Sequence, residues 1–84
     1  MVNLKPLNPD ASPEAAYGAR LRGEREARGW RQDDLAGRIG YTGRHVSGVE
    51  TCHKSPTRKF SIAVDVALGF VGAAESFERE WQRI

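Results

Sequence analysis

Apolar residues recur at three- and four-residue intervals along most of the 84-residue chain, and no stretch of useful length alternates apolar with polar as a half-buried strand would. The pattern predicts five helices. The first opens at Pro13, with Ser12 as its cap and Glu14 in a first turn where the helix dipole favours negative charge. It runs to about Arg28 with Tyr17, Leu21 and Ala27 inward, Gly29 ends it, and Trp30 follows as a core plug. Leu35, Ala36 and Ile39 share one stripe of a second helix that Gly40 stops, since glycine takes the left-handed conformation at little steric cost. Thr42 caps a third helix with Val46 and Val49 inward. Thr51 to Pro56 reads as a polar loop, and Phe60, Val64, Ala67 and Leu68 form the buried stripe of a fourth helix. Gly69 and Gly72 bracket a connection, after which residues 73–84 read as a fifth helix with Phe77, Trp81 and Ile84 on one side. The expected fold is therefore an all-α, five-helix domain over residues 13–84, preceded by a flexible N-terminal tail, residues 1–12, that carries Pro6, Pro9 and few apolar residues.

The second and third helices, about residues 32–50, are joined by a short turn containing glycine, which is the helix-turn-helix arrangement. Gly43, Arg44, Ser47 and Gly48 fall on the outward face of the third helix, whose first turn such a motif sets against base edges in the major groove. Net charge is only +2, but its distribution sharpens this reading: residues 15–59 hold ten Arg or Lys against five acids, while the flanking segments are slightly acidic. The bland alternative for that excess is a solvated arginine-rich surface.

Other chemistry finds little support. The single cysteine, Cys52, allows no intramolecular disulfide, and the chain carries neither a signal-like segment nor an apolar run long enough to span a membrane, which makes the cytoplasm the expected compartment. His45, Cys52 and His53 offer three metal-ligand types on one short stretch without a fourth, so no metal site is expected. Ser47 lies near His45 but lacks an orienting acid, so the expectation is a protein without enzymatic activity and without a cofactor.

Leu21, Arg25, Gly29, Gln32, Leu35, Ala36, Gly40, Val46, Ser47 and Glu50 together resemble the Xre/Cro family of lambda-repressor-like transcription regulators, over roughly residues 17–68. The last helix is similar to that of actinobacterial members, which often continue into a larger C-terminal regulatory domain. The resemblance implies double-stranded DNA as partner and a homodimer reading two half-sites. It places Gln32, at the start of the second helix, on a DNA phosphate, with Arg31 beside it adding charge. It sets Gly43 and Arg44 against the bases; only Arg44 of the two has a side chain that donates, with help from Thr42, His45 or Ser47. Lys54 and Arg58 are expected on phosphates, with plain solvated charges as the alternative. Arg25 and Glu50 are expected to form a partly buried ion pair that fixes the angle between helices. Cys52 stands where the family usually has the glycine of a helix-ending turn, so a strained or reshaped turn is expected there. A second functional reading is a protein-interaction module of the same fold, an antitoxin or adaptor docking through Phe77, Trp81 and Ile84; the same three side chains could instead cover the domain's own core.

Overall fold

Ser12 accepts a hydrogen bond at Oγ from the Ala15 amide at 3.0 Å, and the chain enters α1 (Pro13–Ala27) from this cap. A computed structural model describes residues 12–84; the expected tail lies outside the described residues except for Ser12. The further elements are α2 (Gln32–Ile39), α3 (Gly43–Glu50), α4 (Arg58–Leu68) and α5 (Phe77–Trp81), and the described residues contain no strand. Thr42 and Thr57 repeat the capping of Ser12, each accepting at 3.1 Å from the amide three residues on, His45 and Phe60. Gly40 and Gly69 close α2 and α4 with φ of 75° and 78°, the left-handed values that a side chain would resist.

The core gathers one stripe from every helix: Tyr17 and Leu21, Leu35 with Ala36 and Ile39, Val46 and Val49, Phe60 with Val64 and Leu68, and Phe77. Each larger apolar side chain removed from water stabilises the fold by roughly 1.5–3 kcal/mol. α2 and α3 pack on each other more extensively than any other pair, so the angle of the motif is set by Leu35, Ile39, Val46 and Val49.

Three expectations need correction. Ala27 is exposed; the buried stripe of α1 is Tyr17, Gly18, Leu21 and Arg25, a four-residue step that carries Ala27 to the opposite side. Trp30 packs against the core but is only half-buried, its outer side covered by the Arg38 guanidinium 4.1 Å from its ring centroid. The last helix spans five residues instead of twelve: it ends at Trp81, and its start is moved to Phe77 by contacts from α4. The buried Asp65 carboxylate accepts from Ser76 Oγ and the Phe77 amide, both at 2.6 Å, and from the Glu78 amide at 3.1 Å, which holds residues 70–76 in turns until Ser76.

That clamp also decides what α5 does. Phe77 is wholly buried, edge-on to Tyr17 at 5.1 Å, and half-buried Trp81 packs on the same core; Ile84 alone of the expected docking residues is exposed. Phe77 is therefore not available to a partner, and α5 covers the domain's own core. Arg20 fastens it to α1, stacking 4.1 Å from the Phe77 centroid, bonding Glu80 Oε1 at 2.9 Å and donating to the Glu75 carbonyl.

Candidate nucleic-acid interface

The orientation of α3 is set by a charge buried at its end. Glu50, with no exposed surface, accepts from Arg25 Nε at 2.7 Å and Nη2 at 3.1 Å, from Gln32 Nε2 at 3.2 Å and from Arg22 Nε at 3.4 Å. Arg25 completes its own donor set on the Trp30 carbonyl at 2.8 Å. The Glu50 contact holds the Arg25 guanidinium above the ordinary arginine pKa, so it stays charged. α1, the α1–α2 turn, the start of α2 and the end of α3 thus share one network. Gly18 lets α1 approach: a Cβ there would lie 2.6 Å from the Val49 carbonyl oxygen and 2.8 Å from that of Glu50.

Beyond this anchor, α3 presents Gly43, Arg44, Ser47 and Gly48 on its outer side, while Val46, Val49 and Glu50 turn inward. Arg44 is exposed and forms no hydrogen bond or ion pair among the described residues. Thr42 lies at the N-cap with its hydroxyl on the His45 amide. His45 leaves the outer face: its ring is 4.8 Å from Tyr41 and stacks at 5.4 Å on Phe60 of α4. Burial, then the charge of Lys54, pushes its pKa below the usual histidine value.

The two glycines of α3 admit neighbouring side chains. A Cβ on Gly43 would collide with the Asp33 carboxylate, and a Cβ on Gly48 would lie 3.1 Å from Lys54 Cγ and Cδ. Lys54 is held there by backbone, since its amide and that of His53 both donate to the Gly48 carbonyl, at 3.0 and 2.8 Å. Cys52 makes this return with φ of 64°, the only positive φ outside glycine among the described residues. The helix-ending turn keeps the left-handed shape, and the cysteine bears the steric strain that glycine would not.

Residues 16–76 match the family described as helix-turn-helix domain. The chain belongs to the helix-turn-helix domain family. No curated protein and no solved structure gives a significant match. The helix-turn-helix domain is Xre/Cro-like and all-α, and it implies DNA binding.

Among the described residues of this helix-turn-helix domain, half of the Arg and Lys side chains are ion-paired. Arg31 faces Asp34 at 3.4 Å, Arg58 meets Glu78 at 2.8 Å and Arg28 meets Glu24 at 2.9 Å, alongside the Arg20 and Arg25 pairs. Arg38, Arg44, Lys54, Lys59, Arg79 and Arg83 carry no such partner among the described residues, and of these Arg44 and Lys54 stand at α3. Gln32 spends one amide hydrogen on Glu50, so its expected phosphate contact falls to its second hydrogen and to the backbone amides of the α2 N-terminus. His53 is held by Thr51 at 2.8 Å, apart from the His45 stack, and the described residues bring no three metal-binding side chains together. Nor do they include a helix long and apolar enough to cross a membrane. Sequence reasoning missed the Asp33 and Lys54 seats, which depend on what a glycine leaves open.

Proposed function

We propose that this helix-turn-helix domain binds double-stranded DNA sequence-specifically in transcriptional regulation, with α3 in the major groove. Arg44 reads a base there, and guanine is its natural target because the guanidinium matches the O6 and N7 acceptors. Lys54, Arg58 and Arg31 lie against phosphates around the reading helix, and the Gln32 end of α2 points its free amides at the backbone. Thr42, Gly43 and Ser47 border Arg44 and shape the approach, whereas His45 supports the helix from the α4 side. Two copies on a two-fold axis would read two half-sites.

The observation that carries this reading is Arg44 itself: an exposed cation in the first turn of a helix whose opposite end is anchored by four donors on one carboxylate, with no partner of its own among the described residues. Fluorescence anisotropy of a labelled duplex, titrated at several salt concentrations, tests it. Three cations on phosphate give log affinity against log salt a slope of about −3 per protomer. A flat response contradicts the proposal.

A further inference from the structure

We infer that Asp33 is a second base-reading residue, an acceptor that selects cytosine beside the guanine contact of Arg44; this rests on the major-groove reading above. α2 opens with two acids, Asp33 and Asp34, and they have different work. The Asp34 carboxylate takes the Arg31 amide at 2.8 Å and the Arg31 guanidinium at 3.4 and 3.5 Å, so it is used in capping its own helix. Asp33 is exposed and forms no hydrogen bond or ion pair among the described residues. Its carboxylate lies over the Cα of Gly43, in the space that any other residue's Cβ would take at the first position of α3. The side chain missing from the start of the reading helix is thus replaced by one reaching across from α2.

A carboxylate at the major-groove surface has one favourable partner among the base edges, the N4 amine of cytosine. The adenine amine is accompanied by the N7 acceptor, and guanine N7 and O6 and thymine O4 are all acceptors that a carboxylate repels. Asp33 therefore acts by exclusion as much as by attraction: its charge opposes DNA in general and is compensated only where a cytosine amine faces it. The expected discrimination is about five- to tenfold at one position of each half-site, the lower end of what a specific base contact supplies.

The test selects a site from random duplexes with the wild-type protein, then measures affinity for duplexes carrying each base pair at every position. Asp33→Asn should lose the cytosine preference and gain adenine, whose N6 and N7 match a side-chain amide, while the guanine preference due to Arg44 is kept. Gly43→Ala, which leaves Asp33 in the chain but fills its seat, should lose the cytosine preference as well. Thermal melting of both variants reports whether they fold. An enriched site whose base preferences are the same in wild type and both variants overturns this assignment alone, as does a uniform loss of affinity accompanied by a lower melting temperature, which would mark Asp33 as merely a helix-stabilising charge. If the wild-type protein enriches no site, the major-groove reading fails and this assignment fails with it.

Discussion

Replacing Glu50 by Gln should destabilise the domain more than any other single isosteric change. The carboxylate has no exposed surface and faces four donors, three of them on the cations Arg25 and Arg22. Gln keeps the shape but presents an amide N–H group to guanidinium donors, leaving the buried Arg25 only the exposed Glu26 carboxylate at 3.9 Å as counter-charge. Breaking a buried pair in this way costs about 3–5 kcal/mol. A chain of this length has a total stability of roughly 4–12 kcal/mol, so the variant loses about a quarter of it or more. The melting temperature should drop by more than about 12 °C. Arg25→Met should cost less, because Glu50 retains Gln32 at 3.2 Å and Arg22 at 3.4 Å. The double variant Arg25→Met with Glu50→Gln should lose less than the sum of the two single losses, since with Arg25 gone the glutamine strands no buried guanidinium. Urea unfolding followed by circular dichroism at equilibrium gives all four stabilities. Additive effects, or a Glu50→Gln loss under about 1 kcal/mol, would refute the reasoning that this buried network holds the helix angle.

Three further predictions concern the same frame. Gly18→Ala should cost about 1–3 kcal/mol in urea unfolding, because its Cβ meets backbone carbonyls of α3 that cannot swing aside. Cys52→Gly should stabilise the domain by about 1 kcal/mol, read as a higher melting temperature, by relieving the left-handed strain at φ 64°. For His45 the folded pKa lies below the ordinary value, so the unfolded chain binds the proton more readily. Stability is then full above about pH 6.5 and falls as the pH drops below it. Urea midpoints at about pH 7.5 and 5.5 should differ in wild type and converge in His45→Phe, which keeps an aromatic ring against Phe60.

Local rules carried much of this fold. Gly29, Gly40 and Gly69 all take positive φ at the expected helix ends, and Ser12 and Thr42 cap as expected, because these signals act within a few residues of the sequence. Tyr17, Leu21, Leu35, Val46, Val49, Phe60 and Val64 are buried as their spacing requires. The start of α5 was beyond such rules: periodicity extended it to twelve residues, but Asp65, eleven residues before Ser76, decides where it begins. The Arg25–Glu50 pair was available only through a family resemblance, since nothing local links residues 25 positions apart. Around α3 the sequence identified the glycines as gaps in the reading surface; what fills them, Asp33 and Lys54, depends on tertiary approach.

The central claim is that Arg44 reads a base from the first turn of α3, and selection from random duplex DNA with wild type and Arg44→Ala tests it most directly. The account predicts an enriched motif in which the variant loses guanine preference at one position of each half-site, at a cost of about 1–3 kcal/mol in affinity for that site. An identical motif from both proteins would contradict it.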